Sequence, residues 1–281
     1  MGRLVGKIIM NFVKRILTFI GASLLFCQLA LATPFPDPDH SSIPEWIMIK
    51  QLMFGEREIR DGSDDILALY LNTKLDDSST VPIMVNALMD QTEDKYIKTL
   101  YLVIDRNPIP TAGVFKFKPE AGRVKLETRL RFEKFSFIRA IVETNTGDLY
   151  MDQRWVQVAG GCSAPSGKNA NDPSLGKMRF RMDDQIRLNE PNLVQFQIKH
   201  PNESTLASDL EPGYAARFID KVAVEFNGKS IMSGDINFSL SDNPIFKFYF
   251  SPQAEGVLSV RAEDTHDTIF TDSVEIGTDK R

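Results

Sequence analysis

Cysteine is nearly absent from this chain. Its 281 residues include only Cys27 and Cys162. Histidine is almost as scarce: His40, His200 and His266 show no metal-ligand spacing, and none pairs locally with a cysteine. No glycine-rich phosphate loop follows a strand and opens a helix. Neither a cofactor nor a metal is therefore expected. Beyond the first 32 residues, no apolar run is long enough to span a bilayer. The formal charge of −5 argues against nucleic acid as a partner.

The first 32 residues have the tripartite form of a secretory signal. Arg3, Lys7, Lys14 and Arg15 make a basic start, Ile16 to Leu31 is apolar, and Ala30-Leu31-Ala32 fits the cleavage rule. The expected mature chain begins at Thr33, in an oxidising periplasmic space, with no membrane attachment once the signal is cut. A lipoprotein reading through Cys27 is weaker, because the bulky Phe26 precedes it. An uncleaved anchor is the plainer alternative. Cleavage removes four basic residues and no acidic one, so −5 becomes −9. About 249 residues remain, enough for one large domain or two small ones.

Signal removal leaves Cys162 as the one thiol. A lone cysteine in an exported protein is a free reactive thiol or an intermolecular link. It sits in Val158-Ala159-Gly160-Gly161-Cys162-Ser163-Ala164-Pro165, after a strand-like run. The two glycines imply a thin, flexible arm that suits entry into another protein's cleft better than a core. At the reference pKa of about 8.5, an exposed thiol is a few per cent ionised near neutrality. Lys168 and Arg154 are the nearest basic residues in sequence and read mainly as solvated charges. No general base is evident beside the thiol. His200 reads as a turn or packing histidine, and Trp155 and Met151 as core or interface residues.

The remaining pattern is mostly β. Ser41 to Met53 reads as a short helix, with Pro44 and Glu45 in its first turn and Trp46, Ile49, Leu52 and Met53 at helical spacing. Val124 to Phe132 alternates apolar residues with Lys125, Glu127, Arg129 and Arg131, a strand with one wet face. Further runs lie at 66–71, 81–87, 97–105, 114–117, 137–144 and 149–158. Pro82 assigns its run to a sheet edge or a strand start. Residues 163–175 have linker composition. A second set follows at 178–182, 193–200, 222–226, 230–233, 245–250, 257–262 and 269–276, with Asn227-Gly228 as a hairpin turn. The expected fold is all-β: two immunoglobulin-like antiparallel sandwiches, residues 33–162 and 176–281, with a short N-terminal helix. They are expected to meet through a stable, largely apolar interface.

Ile66 to Cys162 resembles SoxY, the sulfur-carrier subunit of bacterial thiosulfate oxidation. The residues that carry the resemblance are Val81-Pro82-Ile83, Tyr96-Ile97-Lys98, Asn107-Pro108-Ile109-Pro110, Thr128-Arg129-Leu130-Arg131 and Gly160-Gly161-Cys162. Gly176 to Gly277 resembles SoxZ, through Ile198-Lys199-His200-Pro201, Ile219-Asp220-Lys221, Phe226-Asn227-Gly228 and Asp242-Asn243-Pro244. The whole is similar to fused SoxYZ-like carriers found alongside quinoprotein alcohol dehydrogenases.

The resemblance implies that Cys162 holds a sulfur intermediate covalently, that Gly160 and Gly161 supply the arm, and that the chain is loaded by partner enzymes and is not itself an enzyme. Implied partners are periplasmic sulfur-oxidation or quinoprotein dehydrogenase-system proteins and small sulfur anions. Two features depart from SoxY. Ser163-Ala164 stands where that family has two glycines, and the arm is internal. From Val158 to Cys162 it extends about 13 Å, whereas residues 163–175 can span about 43 Å. Reach is therefore set by the upstream side. A different reading is an accessory docking protein of a quinoprotein (PQQ) alcohol dehydrogenase system, in which the thiol matters little.

Overall fold

Alternation of apolar and polar residues builds two facing sheets. The computed structural model describes residues 37–73, 77–165, 172–183 and 185–277. The predicted signal segment, Lys168 and the middle of the predicted linker lie outside them. The first half supplies β1 (Ile59–Asp61), β2 (Leu67–Leu71), β3 (Val81–Ala87), β4 (Ile97–Ile104), β5 (Thr111–Phe117), β6 (Lys125–Leu130), β7 (Ser136–Thr144) and β8 (Leu149–Val156). The second supplies β9 (Met178–Met182), β10 (Asn192–Ile198), β11 (Ile219–Phe226), β12 (Lys229–Ile236), β13 (Ile245–Phe250), β14 (Gly256–Asp264) and β15 (Ile269–Ile276).

Each half is a two-layer β-sandwich, as expected. The halves are also joined edge to edge. One sheet runs β1-β8-β7-β4-β5-β12-β11-β14-β15, and the other runs β2-β3-β6-β13-β10-β9. The joins are β5 with β12, in register from Gly113↔Ile236 to Phe117↔Met232, and β6 with β13, at Glu127↔Lys247. A single apolar core fills the space between the sheets. Across the join, Phe115 meets Phe246 edge-on at 6.2 Å, and Phe246 stacks on Phe196 at 4.9 Å. Pro82 is the second residue of β3, an inner strand, so the strand-start reading holds and the edge reading does not. Asn227 and Gly228 both take positive φ, 48° and 75°, as the tight β11–β12 turn requires. β1 was not expected from the sequence. It is short and pairs parallel to β8.

β7 is buried on both faces because helix α1 (Pro44–Phe54) covers the outer one. Trp46, Ile49 and Phe54 pack there against Phe137 and Ile141, with Trp155 and Met151 at the margin. Leu52, expected on the packing face, is instead 79% exposed, and Ile43 and Phe54 complete the contact. Beneath the helix lies a buried ion pair. Arg139 of β7 donates from Nε to Asp105 Oδ1 (2.8 Å) and from Nη2 to Asp105 Oδ2 (2.7 Å). Its guanidinium lies 4.1 Å from the Trp46 ring centroid, and Nη2 also reaches the His40 carbonyl at 2.9 Å. Desolvation raises the Asp105 pKa, and Arg139 opposes the shift.

Candidate functional site

The expected arm begins where β8 ends, but it is docked. It lies in a slot between the turn at Ser78–Ser79, which precedes β3, and the segment Arg131–Glu133, which follows β6. Ser78 Oγ donates to the Ala159 carbonyl at 2.6 Å. The Gly160 amide donates to the Glu133 carbonyl at 3.0 Å, and the Gly161 amide to the Phe132 carbonyl at 2.9 Å. The two glycines therefore serve definite geometry. Gly160 has φ of 83°, a left-handed conformation, and a Cβ on Gly161 would overlap the Ser78 carbonyl oxygen.

Cys162 itself is fully buried, with 0% relative exposure. This corrects the expectation of an open thiol on a flexible arm. The arm is held there by a carboxylate that local sequence reading does not reveal. Glu133 Oε2 accepts the amides of Cys162 (3.1 Å) and Ser163 (3.0 Å), and Oε1 accepts the Ser163 hydroxyl at 2.6 Å. Burial, reinforced by the negative charge of Glu133, pushes the thiol pKa up to about 12, and Arg131 opposes the shift. The docked sulfur is thus a neutral thiol, which is not the nucleophilic form.

Among the described residues, Arg131 is the cation that acts on the thiol, rather than Arg154. Its place in the alternation predicts a wet strand face, yet it is buried. Its Nη1 donates to the carbonyls of Asn202 (2.7 Å), Phe238 (2.9 Å) and Leu240 (2.7 Å), all from the second half. Burial lowers its pKa to about 10, so it stays cationic at neutral pH, while Cys162 and Asp77 favour the charge. Arg154 pairs with Asp152 on β8. Asn107 completes the seam by donating to the Arg131 carbonyl (2.8 Å) and to Ser239 Oγ (3.1 Å). The junction beside the thiol is therefore polar and hydrogen-bonded, whereas the join between the sheets is apolar.

Behind this seam, His200 is a packing histidine. Its Nδ1 accepts the Asn202 amide at 2.9 Å, which leaves Nε2–H to donate to Asp264 Oδ2 at 3.3 Å. Asp264 also accepts from Arg217 Nε at 2.6 Å. Desolvation lowers the His200 pKa from 6.5 to about 4, against the pull of Asp264 and with help from Arg217 and His266. The unfolded chain therefore takes up a proton near pH 6.5 that the folded chain refuses until about pH 4. Stability is expected to fall by about 2–3 kcal/mol as the pH drops through that window. Urea unfolding at pH 7 and pH 4.5 measures the change, and His200→Asn should flatten it. A pH-independent midpoint would refute this expectation.

Among the described residues, no group of three His, Cys, Asp or Glu side chains is placed to hold a metal, and no helix is long and apolar enough to cross a membrane.

Residues 50–162 match the family described as sulfur oxidation protein SoxY, a match that ends on Cys162, and residues 180–275 match sulphur oxidation protein SoxZ. No curated protein matches the chain. Among solved structures, the sulfur carrier protein SoxY from Chlorobium limicola f thiosulfatophilum is 18% identical, covering 41% of this chain and 91% of its own, with a TM-score of 0.32. The fibronectin(III)-like modules of Clostridium thermocellum CbhA are 11% identical, covering 74% and 92%, with a TM-score of 0.23. Neither structural likeness is strong enough to add to the family matches. Those two matches stand in tandem and together span most of the polypeptide, and the chain belongs with the fused SoxYZ-like proteins of sulfur oxidation.

Proposed function

We propose that this protein is a periplasmic carrier that holds a small sulfur-containing group covalently on Cys162 and presents it to partner enzymes. The observation that carries this reading is Gly160-Gly161-Cys162 at the end of the SoxY match, where two glycines are required by the docked geometry. The chain would serve as a loaded substrate and not as a catalyst. A neutral, buried thiol with its pKa at about 12 is unsuited to attack from the docked position. Loading therefore needs an open state in which the arm leaves its slot and the thiol returns toward its ordinary pKa of about 8.5. Export through cleavage after Ala32 belongs to the same proposal, as does an association with a quinoprotein dehydrogenase system.

The burial of Cys162 favours one rival. In it the SoxY-like and SoxZ-like halves form a docking body for a quinoprotein (PQQ) alcohol dehydrogenase system, and the cysteine only packs. Intact mass of protein isolated from its native compartment without reductant tests the carrier reading. A mass increment on the Cys162 peptide, such as a persulfide or thiosulfonate, is expected, and thiol reductant should remove it. A uniformly unmodified thiol would count against the carrier.

A further inference from the structure

We propose that Glu133 and Ser163 form a latch that sets how often the Cys162 thiol becomes reactive. The inference deepens the carrier reading and rests on Cys162 being the loaded residue. One carboxylate gathers three donors from the loaded residue and its neighbour: the Cys162 amide, the Ser163 amide and the Ser163 hydroxyl. Hydrogen bonds to an ionised acceptor are about twice as strong as neutral ones. These three act on the residue that must move and on the next one along the chain. The latch is therefore placed to resist arm release directly.

The seat of the latch is rigid. The Glu133 amide donates to Asn107 Oδ1 at 3.0 Å, and Asn107 Nδ2 is bonded to Ser239 Oγ of the second half at 3.1 Å. The Glu133 carbonyl meanwhile holds Gly160. On the far side, the Ser208 amide donates to the Ser163 carbonyl at 3.3 Å, so the second half also grips the exit of the arm. Ser163 stands where a third glycine would leave no hydroxyl to donate. That serine adds a third bond to the two amide contacts that a glycine would keep. An internal arm is tied at both ends and gains little freedom from a free terminus. The three bonds to the Glu133 carboxylate are the charge-assisted ones among those that hold it.

The test is the alkylation rate of Cys162 by iodoacetamide in the folded full chain. Intact mass follows the reaction at several low urea concentrations, with the melting temperature measured alongside. In the wild type, slow labelling with a shallow urea dependence is expected, the mark of local opening. Ser163→Ala should raise the rate, and Glu133→Gln should raise it further, by about ten- to a hundred-fold, with the shallow urea dependence of the wild type kept. Glu133→Gln retains one acceptor oxygen but turns an amide donor toward donors. Glu133→Ala should open the arm at least as far. If Glu133 variants fold poorly, Ser163→Ala alone decides, because it deletes only one hydroxyl at the end of the arm. Rates equal to wild type in folded variants would overturn the latch. So would a rise that carries the steep urea dependence of global unfolding. Neither result depends on finding a sulfur adduct. A working latch without adducts would refute the carrier and leave the latch standing, and adducts on an unlatched arm would do the reverse.

Discussion

Serine in place of Cys162 is expected to abolish covalent sulfur loading completely while leaving the two-sheet body folded. A hydroxyl forms no persulfide or thiosulfonate bond, so the loss should be total and should resist higher partner concentrations. The side chain differs by one atom, and the backbone bond from residue 162 to Glu133 is kept. Burying a hydroxyl where a thiol sat should cost about 1–3 kcal/mol at most. Two measurements separate the readings: adduct mass on the chain, and oxidation by a reconstituted partner system. A carrier loses both. A docking body has no adduct to lose, keeps oxidation and still binds its partners, so retained oxidation by Cys162→Ser would end the carrier reading outright.

Asp105→Ala is expected to be the most damaging single change to stability, at about 3–5 kcal/mol. The effect comes from what remains. Arg139 is fully buried, and both its Nε and Nη2 are bonded to this carboxylate. Without it, a guanidinium is left in an apolar layer, with the Trp46 and Phe137 rings, Met151, the His40 carbonyl and Gln153 around it but, among the described residues, no anion paired to it. Helix α1 lies over that group, so its near-ultraviolet tryptophan signal should weaken with the melting temperature. Replacing both partners, Asp105→Leu with Arg139→Met, should cost much less than the single change, because no charge is then stranded. A double variant as unstable as Asp105→Ala would show that shape matters more than charge here.

The two damaging sites also mark what a sequence can and cannot disclose. Strand periodicity located nearly every strand, because burial on one face leaves its mark every second residue, as at Val81, Ile83 and Val85. It failed at Arg131, whose place in the alternation said wet face. Three carbonyls from residues far along the chain decided otherwise. β1 was missed because three residues carry no period. Gly160-Gly161-Cys162 was legible as the site, but its accessibility was not. The carboxylate that holds it comes from Glu133, which is twenty-nine residues away and looks like any loop glutamate. The glycines were read as slack when they mark one left-handed turn and one tight approach. Local chemistry discloses the reactive atom, and only tertiary contacts disclose its resting state.

The pairing of β5 with β12 bears on how this polypeptide behaves when it is incomplete. Val114 lies opposite Asp235, so the pairing joins strands from the two halves of the chain. A fragment ending at the arm would carry β5 as a bare edge, with Phe115 and Phe117 deprived of the cover that the second half supplies. Unpaired amides beside aromatic side chains are a template for self-association. Premature termination between the halves would thus yield an aggregation-prone remnant rather than a soluble lone carrier. Covalent fusion guards against that outcome by delivering the strand that closes the edge in the same molecule, at equal copy number and with no assembly partner to find.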